Sequence, residues 1–113
     1  MAYNQILANR IREHILELGS IEEKEMFGGL CFMFRGKMFL GVFKDEMMCR
    51  IDPGLYVEVL EKQGCHEMQF TGKPMKGWIL IEETGLKTVP DIKYWIGLAV
   101  DYNQYAKASK KKK

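Results

Sequence analysis

Residues 24–52, KEMFGGLCFMFRGKMFLGVFKDEMMCRID, constrain this fold more than any other stretch. Two breaks, Arg35-Gly36-Lys37 and Lys44-Asp45-Glu46, divide it into three apolar runs. Apolar runs of strand length separated by tight turns read as antiparallel neighbours. The spacing therefore predicts three consecutive strands at 30–34, 38–43 and 47–51. Gly28-Gly29 is expected to bulge or bend the chain at the start of the first. Leu30, Phe32 and Phe34 should share one face, with Cys31 and Met33 on the other. Met38, Leu40 and Val42 should likewise oppose Phe39 and Phe43. The first two strands are thus apolar on both faces, whereas a half-solvated antiparallel sheet alternates apolar with polar. Either helices cover both faces, or a second copy of the chain covers one. With three helices to hand, a homodimer is the expectation.

The flanking sequence supplies the covering material. Leu7, Ile11, Ile15 and Leu18 recur at helical spacing over 3–18, with Arg10, Arg12, Glu13 and Glu17 on the other side and Gly19 as a stop. Asp52-Pro53 pairs a capping acceptor with proline at the first helical position, opening a helix that Gly64 ends. Residues 65–70 form a short strand, 71–77 a loop on composition, and 78–83 a further strand. Thr88 and Asp91 have capping-box spacing and open a last helix buried through Ile92, Trp95, Ile96, Ala99 and Val100. The order is helix, three strands, helix, strands, helix. That order implies an α+β, two-layer fold with an antiparallel sheet.

Charge separates body from tail. The chain of 113 residues carries a formal charge of +2, but five of its 17 basic residues are lysines at 107 and 110–113. Without them the body is mildly acidic, so the basic character belongs to the tail. One domain is expected over 1–106, followed by a disordered lysine-rich tail over 107–113. A hydrophobic share of 47% is enough for a core without staples. No run is long enough to span a membrane, and the amphipathic N-terminus lacks the apolar segment of a signal peptide. A cytoplasmic location is expected.

The residues with reactive chemistry do not form a catalytic or metal-binding pattern. His14, His66, Cys31, Cys49 and Cys65 include no C-x₂-C or H-x₃-H spacing, so no metal is implied. Cys65 and His66 are neighbours on a strand and should point to opposite faces. Glycines at 28, 29 and 36 build no phosphate-binding loop between a strand and a helix, and no cofactor is implied. The acidic clusters at Glu22, Glu23, Glu25 and at Glu82, Glu83 read as solvated strand ends. The expectation is a protein that is not an enzyme. What remains is a candidate binding surface of Phe27, Gly28, Gly29, Arg50, Lys73, Met75, Lys76 and Trp78. It combines cations with an aromatic, a pattern suited to an anion or a nucleic-acid backbone. Methionines concentrated at 26, 33, 38, 47 and 48 read first as core filling; where exposed they would add an adaptable surface of the kind that suits protein partners.

Four blocks taken together carry a family likeness: KEMFGGLCFMFRGKMFLGV at 24–42, MMCRI at 47–51, EMQFTGKPMKGWILI at 67–81 and GLKTVPDIKYWIGLA at 85–99. The chain resembles the TfoX/Sxy N-terminal domain family over nearly its whole length, short of the lysine tail. The resemblance implies a fold similar to the secretion-chaperone-like one. It also implies a regulatory role, since full-length TfoX-type proteins regulate natural competence together with a cyclic-AMP-responsive transcription factor. Those proteins carry a second, helical C-terminal domain, and this sequence reads as the N-terminal domain standing alone. The family brings no catalytic residues to transfer. The resulting expectation is a non-catalytic regulatory module that binds another protein. Direct nucleic-acid binding through Arg50, Lys73, Lys76 and the tail is one alternative. A small ligand-binding domain or enzyme is the other.

Overall fold

Asn4 begins the first helix by accepting a hydrogen bond from the Leu7 amide at 3.0 Å. The computed structural model describes residues 3–19, 21–26, 28–70 and 73–105, with the backbone alone described at 26, 69, 70 and 73–76. The expectations for Phe27, for Thr71-Gly72 and for the tail at 107–113 lie outside the described residues. Helix α1, Gln5–Ile15, buries Leu7, Ala8, Ile11 and Ile15 and runs into a 3₁₀ turn, Leu16–Leu18.

A strand absent from the sequence reading comes next. β1, Ile21–Met26, pairs antiparallel with β2, Gly29–Phe34, from Ile21↔Phe34 to Met26↔Gly29. Its sequence IEEKEM is poor in strand formers, yet it is an edge strand, where charges discourage pairing with other chains. One of its carboxylates is also used: Glu23 takes both Arg12 Nε and Nη2 at 2.8 Å, fastening the edge to α1. Gly28-Gly29 is accordingly no bulge. Gly28 lies in the turn between two strands, and Gly29 is the first residue of β2.

β3, Lys37–Phe43, and β4, Glu46–Arg50, complete a four-strand meander. The β2–β3 turn holds both Arg35 (φ 57°) and Gly36 (φ 75°) in the left-handed region, as a two-residue type I′ hairpin requires. The bulge sits in β3 instead. Pairing jumps from Phe32↔Leu40 to Met33↔Met38, leaving Phe39 as the extra residue. The jump alters the expected faces. Phe39 joins Leu40 and Val42 under the helices, 5.5 Å from the Phe34 ring, while Met38 turns to the opposite side.

The helix expected at 53–64 reduces to a 3₁₀ turn, Pro53–Leu55, and a single α turn, α2, Tyr56–Val59. Gly54 and the β-branched Val57 and Val59 disfavour anything longer. β5, Cys65–Phe70, then forms the far edge, and β6, Lys73–Ile81, returns between it and β4. The sheet order is β1-β2-β3-β4-β6-β5, antiparallel throughout. β6 thus begins at Lys73 inside the expected loop. β4 reaches only to the pair Arg50↔Trp78, whereas β5 stays paired out to Phe70↔Lys73. The two strands project as an arm in which Pro74 has no β4 partner, the edge condition under which a strand tolerates proline.

Helix α3, Val89–Asn103, opens with the predicted capping box, Thr88 and Asp91 each serving the other's amide. Thr88→Ala is expected to cost about 1 kcal/mol of stability, read from urea unfolding. At the other end Asn103, 1% exposed, donates to the Phe34 carbonyl at 3.1 Å, and Lys37 Nζ caps the helix through the Asn103 carbonyl. The fold is α+β, with helices on one side of a six-stranded sheet. The core between them is built by Phe32, Leu40, Met47, Ile51, Ile79 and Ile81 against Ile11, Ile92 and Trp95. A second apolar cluster occupies the other face, and among the described residues no helix side chain joins it.

Candidate binding surface

Alternation along β4 and β6 sends Met47, Cys49 and Ile51 to the helical side, and with them Ile79 and Ile81. Arg50 and Trp78 are left on the helix-free face. They are direct partners across β4 and β6, and the guanidinium lies 4.9 Å from the Trp78 ring centroid. These two expected site residues are brought together. Gly28 and Gly29 stand at another corner of the sheet, by the β1–β2 turn. Gly28 helps line a recess of about 300 Å³ with Phe43, Lys44, Glu46 and Leu80. Leu80 shares its face with Trp78, so the recess and the stacked pair are two parts of one surface. Lys73, Met75 and Lys76 fall on the projecting part of β6, but their side chains lie outside the described residues. So does Phe27.

Met33, Met38 and Met48, visible in the sequence as methionines, join these parts with residues that the sequence did not assign to this surface. Cys31, Met33, Met38, Met48 and Met68 pack together on this face, with Phe43, Trp78 and Leu80 half-buried around them. Two glycines let large side chains lie flat there. A Cβ on Gly29 would meet the Phe43 ring at 3.0 Å, and one on Gly41 would meet the Met48 methyl at 3.1 Å. At the β5 edge His66 Nε2 lies 2.9 Å from Glu46 Oε1. Its neighbour Cys65 packs against the helix-side core, so the two do point to opposite faces. The methionines were visible in the sequence as a group. Their assignment to a face was not, because the β3 bulge decides it.

A family model for the TfoX N-terminal domain matches residues 13–102, most of the chain and every strand of the sheet. The chain belongs to that family. A comparison with curated proteins returns no match. In this TfoX N-terminal domain the helix-free face is therefore part of the matched region, including Cys31, Arg50 and Trp78.

The titratable groups of the domain are mostly structural. Arg12 holds the Glu23 carboxyl below the usual carboxylate range by hydrogen bonding, and Glu23 raises the guanidinium in return. Both are too exposed for the pair to contribute more than a fraction of a kcal/mol. Burial pushes all three thiols up: Cys31, Cys49 well above its ordinary value, and Cys65 to about 11. A thiolate is the reactive form, so none is poised as a nucleophile near neutrality. Among the described residues no three His, Cys, Asp or Glu groups converge as metal ligands, and no helix is long and apolar enough to cross a membrane.

The thiols give the domain an alkaline limit. In the unfolded chain a thiol ionises near 9.0, while Cys65 in the folded chain keeps its proton to about 11. Between those values the folded state binds the extra proton, so its stability falls as pH rises, with no such term below pH 9. Urea midpoints taken from pH 8 to 10.5 should decline over the upper part of that range. Cys65→Ala should reduce the slope, leaving the parts due to Cys31, Cys49 and the raised Tyr56 hydroxyl.

Proposed function

We propose that this TfoX N-terminal domain is a non-catalytic regulatory module of the cytoplasm that binds another protein through the helix-free face of its sheet. The supporting observation is a rim of half-buried Phe43, Trp78 and Leu80, with Arg50 stacked on Trp78, on the face no described helix covers. Aromatic residues and arginine, partly desolvated and fixed by packing, are the side chains that dominate binding energy at protein interfaces. Phe43 held against Gly29 and Trp78 stacked by Arg50 are already ordered, which keeps the entropy lost on binding small. The regulatory element of the proposal rests on the family.

Affinity capture from native cytosol, with the intact domain and two variants as bait, tests the reading. Trp78→Ala and Arg50→Ala should each lower recovery of a specific partner by about tenfold or more, roughly 1.4 kcal/mol. Their urea midpoints should stay close to that of the parent. A partner retained equally by both variants would remove this face from consideration.

Nucleic acid is the second reading, favoured by the same Arg50–Trp78 stack, which could receive a base beside a cation. It predicts a steep loss of affinity with salt that persists after residues 107–113 are deleted. Titration with DNA and RNA at two salt concentrations distinguishes it from the protein partner.

A further inference from the structure

The cluster on the helix-free face has an unusual composition. All five of its buried members carry sulfur: Cys31, Met33, Met38, Met48 and Met68. Among the described residues buried on the helical side only Met47 and Cys49 do, in a core otherwise built of branched aliphatic, aromatic and alanine side chains. The sheet register brings the sulfur side chains together. Cys31 faces Gly41 across β2 and β3, and Met48 faces the same glycine from β4. The missing Cβ matters: the Met48 methyl lies 3.1 Å from where it would be, so the end of the Met48 side chain lies over Gly41, the residue that separates it from Cys31 across the strands. Met33 is two residues from Cys31 on the same face and directly opposite Met38. Residues directly opposite across antiparallel strands have Cβ atoms about 5 Å apart, within easy reach for methionine.

We propose that this cluster binds one monovalent soft metal ion, copper(I), with Cys31, Met33 and Met48 as ligands and Met38 and Met68 as the surrounding wall. Thiolate and thioether sulfur select copper(I) over harder cations. On binding, the Cys31 thiol gives up its proton to solvent and forms the sulfur–metal bond. The single positive charge of the ion and the single negative charge of the thiolate then cancel. A neutral unit can sit on a surface where Cys31 and Met48 are fully buried. Zinc would need imidazole, carboxylate or further thiolate ligands, and no such set converges among the described residues. Entry is available beside Met33, which lines an open recess of about 440 Å³ with Glu22, Phe34 and Arg35. Lys24, opposite Cys31 on β1, is exposed and solvated, so its charge is screened from the site.

The test uses the full chain under nitrogen, titrated with copper(I) against a colorimetric copper(I) chelator, and separately with silver(I) as a redox-inert probe. One equivalent should be withheld from the chelator, with a thiolate-to-copper absorption band, quenching of Trp78 fluorescence, and release of one proton. Met33→Leu with Met48→Leu conserves volume and leaves the fold intact. It should weaken binding by at least tenfold. Cys31→Ala should remove the absorption band and the proton release, while Cys65→Ala should change neither. Zinc(II) should not compete. Failure to withhold copper(I), or binding unchanged in the double Met variant, would overturn the proposal and leave the sulfur atoms as packing alone.

Discussion

Gly64→Ala should destabilise the domain by about 3 kcal/mol, as measured by urea unfolding. Two separate effects add. Gly64 has φ +83°, a left-handed conformation that costs a residue with a Cβ about 1–2 kcal/mol. The new methyl would also stand 2.6 Å from the Gly85 amide nitrogen, a backbone atom that cannot swing away. Overpacking of that kind adds about 1–3 kcal/mol. Gly85→Ala has the second problem without the first: its Cβ would meet the Gln63 carbonyl at 2.6 Å and Ile81 Cγ2 at 2.7 Å. Gly97→Ala is the control of opposite sign. Gly97 lies inside α3 with open space at the Cβ position and no unusual φ, so alanine should add about 0.5–1 kcal/mol. Equal effects at 64 and 97 would show that the close approach is not rigid.

The Gly64–Gly85 contact matters for the candidate surface as well as for stability. The Gly64 carbonyl accepts the Glu82 amide at 2.8 Å, tying the start of β5 to the end of β6. Those strands carry Trp78 and form the projecting arm. Slack at this contact should pass along β6 from Ile81, which pairs with Met47 of β4, to the Arg50–Trp78 pair, and tryptophan fluorescence should report it.

Much of this was legible in the chain, and what escaped has physical causes. The hairpins from β2 to β4, the helical stripe Leu7-Ile11-Ile15 and the Thr88–Asp91 cap are all local signals, and local patterns are what a sequence displays. β1 escaped because its glutamates obey the rules for an edge strand and its partner Arg12 lies on another element. The early start of β6 escaped because Pro74 and Gly77 read as loop until β4 is known to stop at Arg50. Assigning faces failed at Phe39, where one inserted residue moves side chains across the sheet. Of the candidate surface, the pairing of Arg50 with Trp78 follows from register alone. Its link to Gly28 through Leu80 and Phe43 needed the sheet order. The sulfur cluster needed Gly41, whose missing side chain gives no signal in a hydrophobicity pattern.

Trp95→Ala should cost about 3–5 kcal/mol, a large share of the roughly 5–15 kcal/mol that holds a domain of this size together. Trp95 is 3% exposed at the centre of the helix-side core, and its indole Nε1–H donates to the Gly85 carbonyl at 3.1 Å. Truncation removes the packing and leaves a buried carbonyl without its donor. Trp95→Phe separates the two. It keeps most of the apolar volume and removes the donor, so its cost should fall to about 1–3 kcal/mol. Because the acceptor belongs to Gly85, the Trp95 and Gly85 substitutions should not add. A double-mutant cycle with Trp95→Phe and Gly85→Ala should show coupling of about 0.5 kcal/mol or more. Additivity within about 0.3 kcal/mol would mean that α3 and the β5–β6 pair are held independently. The cycle also guards the functional test. Trp95 and Trp78 stand on opposite faces of one sheet, so a partner lost with Trp78→Ala at unchanged stability reports the surface. A partner lost only with Trp95→Ala reports unfolding.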